Sequence, residues 1–183
     1  VMIGAGDRLC GAPAGVISDA LLCEMCPSLA EVSVPLSGGT FSVETLTESA
    51  PDVVFIKSSL YYARGEAEKL EKMGIPYLVV SYATMEEQMD AIAMIGRVCG
   101  GDAEGRAEQL NQYYRGTIET VEEHAATIPE SERKRVYHAI NEVVRTDGEQ
   151  SLGTDWIECV GAVNVSSEEQ VAQGETDYNA SLE

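Results

Sequence analysis

Basic residues are scarce in this chain. Its 183 residues carry 12 Lys and Arg against 31 Asp and Glu, a formal net charge of −19. Such a surface repels the phosphate backbone, and no Lys/Arg cluster relieves it, so nucleic acid is excluded as a partner. Long apolar runs are missing as well: no stretch of about 18 apolar residues exists to span a membrane. Histidine occurs only at His124 and His138, which leaves no H-x-x-x-H pair. Nor is there a Ser/His/Asp set or a phosphate loop of the G-x-x-x-x-G-K type. Gly4-x-Gly6 lacks the third glycine of a dinucleotide fingerprint and follows no strand. With these absences, a binding role is expected rather than an enzyme, and no cofactor is expected.

Cysteine is present but unorganised. The five, at positions 10, 23, 26, 99 and 159, have no framework spacing. Cys23-Glu24-Met25-Cys26 is a C-x-x-C without the second ligand pair that zinc needs. The cysteines are therefore expected as small buried hydrophobes or an incidental disulfide. No signal-peptide pattern is visible. Val1-Met2-Ile3-Gly4-Ala5-Gly6 reads as the last turn of a helix, so the expectation is that an upstream segment has been removed.

What is present is a pair of strand–helix units. Asp52-Val53-Val54-Phe55-Ile56-Lys57 is an apolar run launched by Pro51, as expected for a parallel strand covered on both faces. A helix with Ala63, Ala67, Leu70 and Met73 on one stripe follows, with Gly74 as its C-cap. The second unit is strand Pro76-Tyr77-Leu78-Val79-Val80-Ser81, then a helix opened by the capping-box spacing of Thr84 and Glu87. Short strands are expected at 9–13 and 31–35, and short helices at 18–26 and from Ser42. Asp102 then caps a long amphipathic helix, roughly 102–128, with its stripe on Ala103, Ala107, Leu110, Tyr114, Thr117, Val121, Ala125 and Ile128. Pro129 ends it. A new strand is expected at 134–140 and a helix at 156–161, after which the chain turns polar and no further strand is expected to close a sheet. The fold class is α/β: a three-layer lobe with a parallel sheet over 1–100, a long connecting helix over 101–129, and an incomplete second α/β lobe over 130–183. Disorder near 166–183, or self-association through an unpaired edge, is the expected consequence.

Several of these motifs together resemble the ABC-transporter solute-binding proteins of the siderophore, haem and cobalamin group. Ser42-Val43-Glu44-Thr45-Leu46 ahead of Ala50-Pro51-Asp52-Val53-Val54 is similar to that group's Asn-x-Glu-x-Leu…Lys-Pro-Asp-Val-Val signature. Lys72-Met73-Gly74-Ile75-Pro76-Tyr77 resembles its helix–Gly–Ile–Pro–strand joint, and Trp156 through Val165 its turn before Asn-Val, with Ala162 where a second Gly is common. Gly4 through Gly11 looks like the group's helix end and first strand. The resemblance covers nearly the whole chain and implies a fragment of a two-lobed protein. It implies capture of an iron chelate, haem or corrinoid between two lobes, delivery to ABC permease subunits, and an extracytoplasmic, periplasmic or lipoprotein-anchored location. The alternative is a sensor or interaction domain that reuses the lobe without transport.

Ligands of open α/β sheets lie beyond the carboxyl ends of the strands. The candidate ligand residues there are Thr40, Lys57, Ser58, Tyr61, Tyr62 and Tyr82, with Arg64 beside Lys57 as a second cation for an anionic chelate. Tyrosine offers a flat apolar face and a hydroxyl, which suits a planar macrocycle. The resemblance also implies one acidic docking residue per lobe for permease arginines. Glu66 and Glu68 hold that position, with Glu66 expected to face outward.

Overall fold

The computed structural model describes residues 1–62, 65–166 and 177–179. Packing divides the chain into two compact units, Val1–Val80 with Ile95–Ala107, and Ser81–Met94 with Glu108–Glu183.

In the first unit, short helices α1 (Ala14–Ile17) and α2 (Ala20–Met25) precede a small hairpin of β1 (Leu36–Ser37) and β2 (Thr40–Phe41). The strands expected at 9–13 and 31–35 reduce to one parallel bridge between Gly11 and Ser33. Helix α3 (Val43–Ser49) starts where the Ser42 hydroxyl accepts the Thr45 N–H at 3.2 Å, and stops where Ala50 turns left-handed ahead of Pro51. The two apolar runs become β3 (Val54–Lys57) and β4 (Tyr77–Val80), parallel and in register from Val54 opposite Tyr77 to Lys57 opposite Val80.

Between them the single expected helix is two. Helix α4 (Ser58–Tyr62) opens directly from β3, and α5 (Glu66–Met73) begins after Gly65, whose φ of 66° lies in the left-handed region that breaks a helix. Ala63 and Arg64 lie outside the described residues. At the other end of α5 the Gly74 N–H reaches Glu71 O and the Ile75 N–H reaches Leu70 O, both at 3.0 Å. This is the Schellman closure expected of a left-handed glycine, and it returns the chain to β4 within two residues. Phe41, Leu46, Ile56, Ala67 and Leu70 form the buried core around β3. Leu70 is wholly buried, so its truncation to Ala would remove about 2–5 kcal/mol.

Helix α6 (Met85–Cys99) has the expected cap: Thr84 Oγ1 accepts the Glu87 N–H at 3.1 Å, while Glu87 accepts the Ala83 N–H at 2.6 Å. Helix α7 (Asp102–Ala125) is continuous over 24 residues, about 36 Å at 1.5 Å per residue. Its phase differs slightly from expectation. Asn111 is buried and donates to Met89 O at 2.7 Å, whereas Thr117 is exposed and bonds back to Tyr113 O. Gly96 of α6 sits so close to Ala107 of α7 that a Cβ would lie 2.6 Å from the alanine methyl.

The later part of the second unit has more strand than its sequence suggests. The run expected as a strand over 134–140 is only β5 (Arg135–Val136), which pairs in parallel with β7 (Val163–Asn164). Two further strands, β6 (Arg145–Asp147) and β8 (Asp177–Asn179), pair antiparallel. The expectation that no strand follows residue 166 is therefore corrected, because β8 finds its partner about 30 residues upstream. Between β6 and β7, α8 (Leu152–Cys159) starts earlier than expected because the Ser151 hydroxyl caps it through the Thr154 N–H. The disorder expected near 166–183 falls mainly on 167–176 and 180–183, outside the described residues.

Candidate functional site

The carboxyl ends of β3 and β4 carry most of the expected ligand residues of the first unit. Lys57, the last residue of β3, is exposed, and Ser58 opens α4 half-buried. One turn on, Tyr61 and Tyr62 are 42% and 53% exposed, with ring centroids 5.2 Å apart in an edge-to-face arrangement. Tyr61 also leans on Tyr77, at 6.4 Å between centroids. Tyr77 is anchored in turn, its hydroxyl donating to Glu71 at 2.8 Å. That hydrogen bond raises the phenol above its ordinary pKa of 10.0, helped by burial and by the charges of Glu71 and Tyr61. A held tyrosine thus backs an exposed pair. Large aromatics half out of solvent are apolar surface available to a ligand face.

The remaining expected residues divide. Thr40 is exposed on the hairpin, one residue before buried Phe41. Tyr82 is half-buried just after β4 and belongs to the second unit. Arg64 lies outside the described residues. The five cysteines are free thiols: Cys26 is buried, three are half-buried and Cys10 is exposed. They form no disulfide, and Cys10 departs from the expectation of burial.

Glu66 is not outward-facing, which corrects the expectation for that residue. It is 2% exposed; its carboxylate accepts the Phe41 N–H at 2.8 Å and the Lys69 ammonium at 2.9 Å. The physical reason is helical geometry. Residues four apart share a face, so Glu66 points the same way as the buried Leu70. Glu68 does face solvent: its side chain is 66% exposed and pairs with Lys72 at 3.2 Å.

A group of residues in the second unit escaped sequence reasoning. Thr146, Asp147, Ser151, Thr154, Asn164 and Ser166 are all buried. Asn164 donates to Thr154 at 2.7 Å and accepts from the Ser166 hydroxyl at 2.8 Å, while Thr146 and Ser166 share a hydrogen bond of 2.8 Å. Asp147 pairs with the Nδ1 of His138, whose side chain is 45% exposed. The available signal was local: the turn-forming Thr146-Asp147-Gly148 followed by Ser151, which caps α8. Elsewhere in this unit, a cavity of about 670 Å³ is walled by Met89, Ile118 and Cys159 and rimmed by Arg115, Arg133 and Glu122. No expected site residue lines it.

The fold has counterparts among known proteins. The family model for periplasmic binding protein matches residues 9–182. The chain belongs to the periplasmic binding protein family. The family is one of solute-binding proteins rather than enzymes. A curated relative, the ABC transporter substrate-binding lipoprotein YvrC of Bacillus subtilis, is 28% identical over 132 residues, which is 70% of this chain and 41% of YvrC. Two solved structures share the fold. The molybdate periplasmic binding protein MolA of Haemophilus influenzae has a TM-score of 0.77 at 16% identity, over 98% of this chain and 60% of MolA. The periplasmic vitamin B12 binding protein BtuF of Vibrio cholerae has a TM-score of 0.73 at 16% identity, over 99% of this chain and 65% of BtuF. The chain thus spans less than two thirds of each relative's length. Among the described residues no helix is long and apolar enough to cross a membrane.

Proposed function

We propose that this periplasmic binding protein is the capture component of an ABC importer. It takes up a metal chelate (a siderophore complex, haem or a corrinoid) outside the cytoplasm, anchored as a lipoprotein, and hands it to permease subunits. The exposed Tyr61–Tyr62 pair at the carboxyl end of the parallel strands is the observation that carries this reading. Its rings offer flat contact to a chelate or macrocycle, and exposed Lys57 offers a cation to a carboxylate on its rim. Ser58 and Thr40 supply hydroxyls for orientation. Glu68 is the docking carboxylate of α5, since Glu66 is committed to the core.

The test is calorimetric titration of the purified protein with a ferric hydroxamate siderophore, haemin, cyanocobalamin and molybdate. Binding of at least one chelate, with molybdate silent, supports the reading. Molybdate alone binding would overturn it in favour of a bare oxyanion. Tyr62→Ala is expected to weaken chelate binding about tenfold, or about 1.4 kcal/mol. It should shift stability by less than about 1 kcal/mol, because the ring is half exposed. Equal loss of binding and stability would identify Tyr62 as a packing residue instead.

A further inference from the structure

Three helices of the second unit are pinned in pairs around a space. The amide of Asn111 on α7 donates to Met89 O on α6 at 2.7 Å. The Met85 N–H, opening α6, donates to Asp155 Oδ2 on α8, also at 2.7 Å. Helices α7 and α8 meet at Gly161, just past α8, where an added Cβ would come within 3.1 Å of the Ala125 methyl. The cavity of about 670 Å³, lined by Met85, Met89, Ala125, Asp155 and Gly161 among others, is therefore built into the packing of these helices. Its size is that of a small-molecule site.

The walls are apolar, with Met89 buried and Ile118 and Cys159 half-buried. Both polar pins use one end of a side chain and leave an oxygen over. Asn111 Oδ1 is buried and has no donor among the described residues, a costly state for an acceptor. On α7, Asn111 continues the stripe of Arg115, Ile118, Glu122 and Ala125, all four of which line the cavity. Asp155 Oδ1 likewise takes part in no hydrogen bond or ion pair among the described residues. Burial first, then the charges of Glu122 and Asp155, raises the Cys159 thiol above its ordinary 9.0, so carboxylates of two helices stand near one wall. Around the whole cavity, four carboxylates (Glu86, Glu122, Asp155 and Glu158) face two arginines, Arg115 and Arg133. Both arginines are exposed and satisfied by water. The groups left wanting inside are acceptors.

We propose that this cavity is a ligand site of the second unit, sharing no residue with the Tyr61–Tyr62 surface, and that it takes an organic ammonium, a protonated primary amine on an apolar body. The ammonium donates to Asp155 Oδ1 and Glu122 beside Cys159, and the apolar body lies on Met89 and Ile118. An ammonium carries three donors and no acceptor, which suits a wall with acceptors to spare. A carboxylate ligand would meet the same oxygens and be repelled. The site goes beyond chelate capture and does not depend on it.

The test uses three compounds of one skeleton, 4-phenylbutylamine, 4-phenylbutanol and 4-phenylbutyrate, with the full chain. Calorimetry gives affinity, and the alkylation rate of Cys159, referenced to exposed Cys10, reports occupancy of this cavity. The amine is expected to bind about tenfold more tightly than the alcohol or the carboxylate, and to slow alkylation of Cys159 but not of Cys10. Glu122→Gln and Asp155→Asn keep side-chain shape, and Asp155→Asn keeps an acceptor for the Met85 N–H. Each should weaken the amine about tenfold with little change in melting temperature, whereas Arg115→Gln should not weaken it. Tightest binding of the carboxylate, or loss of amine binding in Arg115→Gln, overturns the proposal in favour of an anion. Amine binding that is equal in wild type and Glu122→Gln, or that leaves Cys159 unprotected, is diffuse attraction to an acidic surface and overturns it too. So does failure of the amine to bind.

Discussion

Replacing Glu66 separates two physical roles for one residue. As an outward docking carboxylate it would tolerate charge reversal, since exposed substitutions change stability by about 0.5 kcal/mol or less. The structure instead makes it the acceptor for the Phe41 N–H and the counter-ion of Lys69 at 2% exposure. Glu66→Ala leaves the Phe41 N–H without this acceptor, a loss of about 1–3 kcal/mol for a buried donor. The ion-pair contribution is smaller, because the Lys69 side chain is 31% exposed and can turn to water. The expected total is about 2–3 kcal/mol. Glu66→Lys should exceed it, since a second ammonium then faces Lys69. At a slope of about 2 kcal/mol per molar urea, Glu66→Ala lowers the unfolding midpoint by about 1 M. Two compact units need not unfold together, so the direct readout is hydrogen exchange at the Phe41 amide, which should lose protection. A Glu66→Lys protein with unchanged midpoint and unchanged Phe41 protection would refute the buried-anchor reasoning.

Glu68→Lys is the matching docking experiment: expression-matched cells should take up less chelate while the isolated protein keeps its affinity and its stability within about 0.5 kcal/mol. Unchanged uptake would reject Glu68 as a permease contact. Thiol labelling offers a pH test. Burial, then the nearby charges of Glu122 and Asp155, raises the Cys159 thiol above its ordinary 9.0. A raised thiol pKa means less thiolate at a given pH, so alkylation of Cys159 at pH 8 should lag that of exposed Cys10. The lag should disappear in denaturant, and equal native rates would contradict the burial.

The elements whose signals are local were legible in the sequence. Proline, a run of apolar residues and a following helix identify β3, and the parallel β3–β4 pairing matches that expectation. Gly74 closes α5 and Thr84 with Glu87 opens α6, because caps are settled by residues three or four apart. Family membership was legible as well, and the family model matches residues 9–182. Gly65 was the available warning that one helix would be two.

Other features depended on where distant segments came to rest. The inward turn of Glu66 required the backbone of Phe41, 25 residues away, to present an N–H that needed an acceptor. The phase of α7, which buries Asn111, was decided by the Met89 carbonyl on α6. The His138–Asp147 pair required a hairpin register and a glycine in α8 that leaves room for the carboxylate. Strand β8 became a strand only because β6 offered an edge. The sequence alone therefore determined the order of elements, the caps that bound several of them and the family they spell, since all three are set by short-range sterics and hydrogen bonding. Tertiary structure alone decided which polar side chains are buried and what they hold, because a buried donor or carboxylate is stable only opposite a partner that the fold supplies.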